Sequence, residues 1–322
     1  MLFVETGKFL LALLLLLGGI RGVSGGLQKL AGGKFHGLLE SSVSTPLKGF
    51  CVGLVATAVL QSSSLVTVMV VGFINGSLMT LAQGLGVVIG ANLGTTITSQ
   101  LFSFETGFLI MPLIVAGTAL YFLEILAGRP LGGKVLLGVA AVLCGLRLLA
   151  FTLEPLAGTA AFHHLFAFSR GGLWRGIITG TMAAAIIQSS SVTIGMVILM
   201  VREGYLGFQE ALAIVVGADL GTCLTAMLAS IGTISPARKV AYGHLFFNLT
   251  SILLVILFWK PFLRAAEITS SDIARQLANS HALYNLLGAV VFLPLVDKYA
   301  IILQNIGGWQ KGRGARRKKV GI

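Results

Sequence analysis

Long apolar segments recur along nearly the whole chain, from Phe9 to Leu303. The protein is 56% hydrophobic and only 11% charged, whereas an ordinary soluble domain is about a quarter charged. A backbone inside lipid must satisfy its own hydrogen bonds, so it forms helices or a closed barrel. The alternating ten-residue segments typical of barrel strands are not seen. We therefore predict an all-α polytopic membrane protein with about eight full spans and two shorter re-entrant hairpins.

The chain repeats itself at a separation of 127 positions. Residues 53–64 match residues 180–191 at 7 of 12 positions, and residues 85–98 match residues 212–225 at 8 of 14. Random matching would give roughly one in ten. We predict two transport repeats, 1–127 and 128–254, then C-terminal membrane segments, 255–305, and a basic tail, 306–322.

Each repeat carries the motif Gln-Ser-Ser-Ser inside an apolar run, at Gln61 and again at Gln188. The apolar runs before the motifs, 47–60 and 174–187, are shorter than the ~20 residues of a full span. Interrupted helices at matching positions of duplicated halves are typical of transporter binding sites near the membrane midplane. The two motifs therefore predict two interrupted helices whose breaks face each other at one site.

Hydroxyl and amide groups at a helix break are suited to a small oxyanion. They donate and accept hydrogen bonds, and helix N-termini attract anions. Unwound carbonyls on the other side of a break suit Na⁺. Thr67 and Thr193 add a hydroxyl on the same helix face as the serines. The alternative is that the serines only pack helices together, but the duplication of the motif favours a site.

A second block, Gly90–Thr98 in one repeat and Gly217–Thr225 in the other, combines glycines with polar residues. This composition suggests a second pair of helix breaks that supply oxygen ligands. Asp219 is a carboxylate in an apolar run, where the first repeat has the neutral Asn92. Acids inside membranes bind a cation, carry a proton or pair internally. A hydrogen-bonded structural role for Asp219 stays open as the alternative.

Two late segments, His244–Asn248 and His281–Asn285, share the pattern His-x-x-aromatic-Asn. The two histidines are not at metal-ligand spacing, and Cys51, Cys144 and Cys223 form no metal motif. We interpret the pattern first as interhelical hydrogen bonding and second as part of the lining of the site.

The net charge of +12 is concentrated at the C-terminus, where six basic residues lie in the last dozen positions after an apolar segment. Such a cluster is typical of a cytoplasmic flank. It predicts a cytoplasmic C-terminus and argues against nucleic acid as a partner.

These features together resemble the type II sodium–phosphate cotransporter family. The resemblance rests on the paired Gln-Ser-Ser-Ser motifs, each followed by Gly-Ala-Asn/Asp-Leu-Gly-Thr, and on the late histidine segments, and it covers about Phe9 to Leu303. It implies inverted repeats, re-entrant hairpins that hold inorganic phosphate and Na⁺, and alternating access. It implies the lipid bilayer, phosphate and Na⁺ as partners, with Na⁺ as coupling ion and no other cofactor or transition metal. A plasma membrane location, the inner membrane of a bacterium, follows.

Carried onto this sequence, the resemblance assigns phosphate to both motifs and Na⁺ to their polar neighbours. The phosphate residues are Gln61, Ser62, Ser63, Ser64, Gln188, Ser189, Ser190 and Ser191. The weaker Na⁺ assignments are Thr67, Asn92, Thr95, Thr96, Thr193, Asp219, Thr222 and Thr225.

The chain departs from the family at Asp219, where members usually have asparagine, and it has no large loop between its halves. Net phosphate export is an alternative within the same class, because gradients set direction. Two candidates come from different classes: a channel, and a membrane phosphatase acting on lipid pyrophosphates. The phosphatase would need a base or nucleophile beside arginines or a metal. Neither motif contains such residues, so we predict a transporter and not an enzyme. The oligomeric state and the coupling ratio stay open.

Overall fold

A computed structural model describes residues 2–31, 43–104, 107–157, 168–169 and 171–305. These residues form thirteen α-helices and two short 3₁₀ turns, with no strand among them, as expected for an all-α membrane protein. The helices are α1 (Leu2–Ala31), α2 (Pro46–Leu60), α3 (Ser63–Asn75), α4 (Leu81–Phe102), α5 (Ile110–Ala127), α6 (Gly133–Ala157), α7 (Leu173–Ile187), α8 (Ser190–Arg202), α9 (Phe208–Ala229), α10 (Ser235–Leu257), α11 (Trp259–Glu267), α12 (Ile273–Phe292) and α13 (Val296–Asn305). The basic tail lies outside the described residues.

The duplication extends to the bounds of the helices. Helices α2, α3 and α4 begin and end 127 residues before α7, α8 and α9, respectively. The pairs α1 with α6 and α5 with α10 correspond more loosely. The described chain is therefore two runs of five helices, α1–α5 and α6–α10, followed by α11–α13.

Six helical stretches of the described chain are long and apolar enough to cross a membrane. They are Thr6–Leu30, Leu81–Phe102, Ile110–Ala127, Phe208–Ala229, Ser235–Leu257 and Ile273–Asn305. This is fewer than the eight or so full spans expected, although α6 also has 25 residues. The apolar helices α2, α3, α7 and α8 are shorter, with 13 to 15 residues each, as predicted for interrupted segments. The chain is a multi-pass membrane protein.

Helix α2 packs directly along the backbone of α4 through glycines. A Cβ at Gly86, Gly90 or Gly94 would overlap the carbonyl oxygen of Pro46, Phe50 or Leu54, respectively. Residue numbers rise together in the two helices, so α2 and α4 are parallel. The same contacts join α7 to α9, where Gly217 and Gly221 meet the carbonyls of Ile177 and Thr181.

The prediction of a second pair of helix breaks is wrong. Gly90–Thr98 and Gly217–Thr225 lie inside the uninterrupted helices α4 and α9. Their glycines do not permit a turn; they remove side chains where a neighbouring helix touches the backbone, a common use of small residues in membrane helices.

The chain reverses direction at each Gln-Ser-Ser-Ser motif. Helix α3 enters α4 through residues 76–80, and Val70 and Ile74 lie beside Gly84 near the start of α4. Helix α3 is therefore antiparallel to α4, while α2 is parallel to it. Helices α2 and α3 form a hairpin with the motif at its tip, and the repeat builds the same hairpin from α7 and α8.

The two long helices α4 and α9 run in opposite directions. The Asn75 side chain, at the end of α3 and next to the start of α4, accepts a 3.0 Å hydrogen bond from the backbone N–H of Ile234, just past the end of α9. At the other end, the Arg202 guanidinium, which precedes the start of α9, donates to the carbonyls of Ser103 and Phe104, just past the end of α4. The start of each helix therefore lies beside the end of the other.

Helix α5 lies at the periphery, packed on α6 where Gly117 meets Leu136 and Leu137. Much of its apolar surface is exposed, including Met111, Val115 and Phe122. Its counterpart α10 is instead in the centre, against α4, α9 and α12. The two repeats are thus equivalent in their hairpins and long helices, and differ in their last helix.

Candidate substrate and ion site

The tips of both hairpins have the same backbone geometry. Gln61 and Gln188 are left-handed, with φ of 53° and 56°, and end α2 and α7. Ser62 and Ser189 are extended and cap the next helix, since each hydroxyl accepts from the N–H three residues on, at 3.2 and 3.3 Å. A left-handed residue followed by a serine cap makes the break. The predicted interruption at each motif is therefore present.

The serines that begin α3 and α8 are inside the protein. Ser63 and Ser190 are buried, and Ser191 is buried as well, whereas Ser62, Ser64 and Ser189 are partly exposed. Each is at a helix start, where backbone N–H groups have no partner within the helix. Both tips thus present hydroxyls and backbone donors in the same arrangement.

The two glutamines differ. Gln61 is buried, and its side chain accepts a 2.6 Å hydrogen bond from the Thr98 hydroxyl and donates to the Ala58 carbonyl. Gln188 is exposed. The Gln61 side chain therefore joins the first tip to α4.

Most of the threonines expected to bind Na⁺ donate their hydroxyl proton to their own helix. Thr67 and Thr193 donate to the carbonyls of Ser63 and Ser189 at 2.8 and 2.9 Å. Thr95, Thr96 and Thr222 donate to the carbonyls three residues earlier. Such back-bonding leaves the hydroxyl oxygen able to accept or to coordinate. Thr225 is half-buried on α9.

Asp219 is the one buried side chain among the Asp, Glu, Lys and Arg residues that the structure describes. The His281 ring lies 3.1 Å from its Oδ2 through Nε2, and the Asn285 amide donates to the same oxygen at 3.0 Å. The Ser190 side chain also lies close enough to the carboxylate to stabilise its negative charge. The carboxylate therefore joins the second hairpin tip, α9 and α12.

Asn92 has a matching environment in the first repeat. The His244 ring lies 3.0 Å from its Oδ1 through Nε2, and its amide donates to Asn248. Asn248 in turn donates to the backbone carbonyl of Asp219 at 3.0 Å. We call the group Asn92, His244 and Asn248 the neutral subsite, and the group Asp219, His281 and Asn285 the acidic subsite.

The His-x-x-aromatic-Asn pattern was the sequence signal for these subsites. The first interpretation, interhelical hydrogen bonding, is confirmed: α10 brings its His and Asn to Asn92, and α12 brings its pair to Asp219. The sequence did not reveal that His281 is the partner of Asp219, because 62 residues separate them. His281 also bonds through Nδ1 to Ser99 of α4, at 2.7 Å.

A buried carboxylate is costly unless donors or a positive charge compensate it. His281 and Asn285 supply donors, and the neighbouring hairpin tip supplies Ser190. This arrangement places an acid, an unusual residue inside a membrane bundle, next to the second Gln-Ser-Ser-Ser motif. The serine hydroxyls and helix N-termini of each tip suit an anion, and the surroundings of Asp219 suit a cation.

Two bacterial proteins are similar to the chain over nearly its whole length. It is 32% identical over 303 residues to the uncharacterised protein YqeW of Bacillus subtilis, covering 91% of this chain and 95% of that protein. It is 30% identical over 298 residues to YjbB of Escherichia coli, whose name provisionally assigns it to inorganic phosphate export. That match covers 92% of this chain but 54% of YjbB, so the chain spans about half of this relative.

Similarity to animal proteins is more local. The human sodium-dependent phosphate transport protein 2B is 38% identical over 76 residues, which is 23% of this chain and 11% of that protein. No solved structure matches the chain significantly. The family model described as Na⁺/Pi-cotransporter matches twice, at residues 15–151 and 142–282, so that most of each repeat lies within one match. The chain belongs to the Na⁺/Pi-cotransporter family.

Proposed function

We propose that this protein carries inorganic phosphate across the membrane together with Na⁺, by alternating access. The observation that carries the proposal is the pair of hairpin tips, each with buried serines at a helix N-terminus, in a chain of this family. Phosphate is held by the residues of both motifs, from Gln61 to Ser64 and from Gln188 to Ser191.

The phosphate site has no buried lysine or arginine within the described residues to neutralise the anion. Hydroxyls, amides and helix N-termini must do so, each with a partial positive charge. These groups bind a dianion weakly without a nearby cation. Phosphate affinity therefore depends on bound Na⁺, and by linkage Na⁺ affinity depends on phosphate to the same degree.

The charge balance indicates why Na⁺ is the partner. Moving two negative charges inward against an inside-negative potential of about 100 mV costs about 4.6 kcal/mol, and each Na⁺ returns about 2.3 kcal/mol. Two Na⁺ ions therefore balance one phosphate dianion, and further ions make uptake electrogenic. We assign the ions to the oxygens around the tips, namely Thr67, Asn92, Thr95, Thr96, Thr193, Asp219, Thr222 and Thr225.

The opposite directions of α4 and α9 support a cycle of alternating access. Inverted repeats are related by an approximate two-fold axis in the membrane plane. Exchanging the conformations of the two repeats therefore exposes the site first to one side of the membrane and then to the other. In this proposal the hairpins and long helices are the moving frame, and the site stays near the midpoints of α4 and α9. The membrane is the bacterial inner membrane, with the C-terminus in the cytoplasm.

Net export of phosphate is the second candidate, and one observation favours it: the name of the Escherichia coli relative. The same carrier runs in either direction, because the gradients of phosphate and Na⁺ decide the sign of the net flux. Proteoliposomes with the Na⁺ gradient imposed inward or outward separate the intrinsic coupling from the direction used in a cell.

The test of the proposed function is uptake of labelled phosphate into proteoliposomes with an inward Na⁺ gradient and with choline in its place. The proposal predicts saturable uptake that requires Na⁺. Uptake that rises linearly with phosphate would indicate a channel instead, and uptake that is the same in choline would contradict Na⁺ coupling.

A further inference from the structure

The acidic subsite contains a buried oxygen that accepts no hydrogen bond. Both protons of the Asn285 amide are used, one on Asp219 Oδ2 at 3.0 Å and one on the His281 carbonyl at 3.1 Å. The Asn285 Oδ1 oxygen, on a side chain only 1% exposed, has no partner within the described residues. A buried carbonyl oxygen without a partner is unfavourable, and it requires water or a cation to satisfy it.

The unpartnered oxygen is close to the carboxylate. The oxygen and nitrogen of one amide are about 2.3 Å apart by standard bond lengths, so Asn285 Oδ1 lies within about 5.3 Å of Asp219 Oδ2. A hard cation binds oxygens at about 2.3–2.6 Å, so one ion spans about 5 Å between two of them. The two oxygens are therefore close enough for one ion to bind both.

The neutral subsite provides the contrast. There the Asn92 carbonyl oxygen is bonded to His244, and the Asn248 carbonyl oxygen accepts from the Asn92 amide. Both asparagine oxygens are satisfied, and no carboxylate is present. The two subsites have the same residue pattern and similar distances. Of the two, the subsite with the unpartnered asparagine oxygen is the one that also has the negative charge of Asp219.

We propose that Asp219 and Asn285 together bind one Na⁺ ion, with Asn285 Oδ1 as a ligand that the transport motifs do not include. The carboxylate supplies the charge and the amide supplies a neutral oxygen, the donor set that a hard monovalent ion accepts. Ser190 of the second phosphate-binding motif stabilises the charge of the same carboxylate, so this ion lies beside the second tip. His281 is a positioning residue that holds Oδ2 from α12. The inference rests on the proposed function only in giving this ion a role in transport, and its test does not measure transport.

Binding is measured on the purified full-length protein without phosphate, as the shift in unfolding temperature on replacing choline with Na⁺ over a concentration series. The wild type should be stabilised by Na⁺ in a saturable way. Asn285→Leu keeps the approximate side-chain volume and removes the oxygen, and should raise the half-saturating Na⁺ concentration at least tenfold. Asn285→Asp keeps an oxygen at the same place and should bind Na⁺.

Asn248→Leu is the matched control, because Asn248 is an equally buried amide at the corresponding position of the neutral subsite, four residues after His244. It should lower the unfolding temperature in choline but leave the half-saturating Na⁺ concentration within twofold of the wild type. If Asn285→Leu fails to fold, Asp219→Asn tests the same ion, since asparagine is the residue at the equivalent position 92 and the Na⁺ effect should be lost.

The outcomes separate the inference from the proposed function. Unchanged Na⁺ titration in Asn285→Leu or Asp219→Asn overturns the ion site even if phosphate uptake requires Na⁺. Equal loss of the Na⁺ effect in Asn248→Leu and Asn285→Leu also overturns it, because the neutral subsite then affects Na⁺ binding as much as the acidic subsite does. If the wild type shows no phosphate uptake but its unfolding temperature still rises with Na⁺ in a saturable way, the proposed function is overturned and the ion site is retained.

Discussion

Asn92 and Asp219 occupy equivalent positions, each the twelfth of 22 residues in its helix, and they face the same kind of partner. A histidine Nε2 lies 3.0 Å from Asn92 and 3.1 Å from Asp219, and each also bonds to an asparagine amide group four residues beyond that histidine. The partners come from α10 in one case and α12 in the other. The bundle has therefore reproduced one polar arrangement twice and placed a charge in only one copy.

The glycine contacts predict a selective loss of stability. Gly90→Ala and Gly217→Ala each place a Cβ onto a backbone carbonyl of the neighbouring helix, which must move away. Overpacking of this kind costs about 1–3 kcal/mol. We expect the unfolding temperature in detergent to fall by several degrees in both variants. Gly72→Ala is the control, because nothing lies within 4 Å of its Cβ, and its unfolding temperature should not fall.

The opposite directions of α4 and α9 predict a specific pattern of cross-links. In a protein with Cys51, Cys144 and Cys223 replaced, cysteines at Asn75 and Ile234 should form a cross-link with a short reagent, because these residues share a hydrogen bond. Cysteines at Phe104 and Ile234 should not, because Ile234 lies at the start of α4 and Phe104 lies just past its end, about 33 Å away at 1.5 Å per residue. The reverse pattern would show that the two long helices run in the same direction.

The buried serines predict a loss of phosphate affinity without loss of folding. A hydrogen bond to a charged group is worth about 1.5–3 kcal/mol, so Ser63→Ala or Ser190→Ala should weaken phosphate affinity by about tenfold or more. Phosphate uptake at saturating Na⁺ measures the change. Ser251→Ala removes a buried hydroxyl that has no partner in the described chain, and it should leave affinity unchanged. Wild-type kinetics in both motif variants would mean that the serines only pack helices.

The basic run at the end of the chain predicts a cytoplasmic C-terminus. A reporter that is active only in the cytoplasm, fused after Ile322, should be active in intact cells. A second reporter that requires export, fused at the same place, should be inactive. The opposite result in the two fusions would reverse the proposed orientation of the bundle.

Local pattern was enough to predict the membrane class, the duplication and the position of both helix breaks. Each of these depends on neighbours in sequence: apolar length, a fixed separation of 127, and a polar motif inside an apolar run. The break at Gln61 follows from the adjacent serine cap, which is a local interaction. The equal bounds of the repeated helices follow in the same way, because equal local sequence at a fixed separation makes equal local structure.

Contacts between distant helices were not accessible in the same way. Glycine in Gly90–Thr98 is compatible with a turn and with close packing, and only the position of α2 along α4 decides for packing. The partner of Asp219 could not be found from its neighbours in sequence, because His281 comes from the segment after both repeats. The repeat does not identify this partner either, because the residue 127 positions before His281 is Glu154 and not a histidine.

Reciprocal coupling of phosphate and Na⁺ fluxes in proteoliposomes tests the central claim most directly. An inward phosphate gradient, with equal Na⁺ on both sides and the membrane potential clamped to zero, should drive labelled Na⁺ inward, just as an inward Na⁺ gradient should accumulate labelled phosphate. Both fluxes should disappear in the Ser63→Ala, Ser190→Ala double variant. Phosphate entry that moves no Na⁺, at the same rate in choline, would contradict a sodium-coupled phosphate carrier.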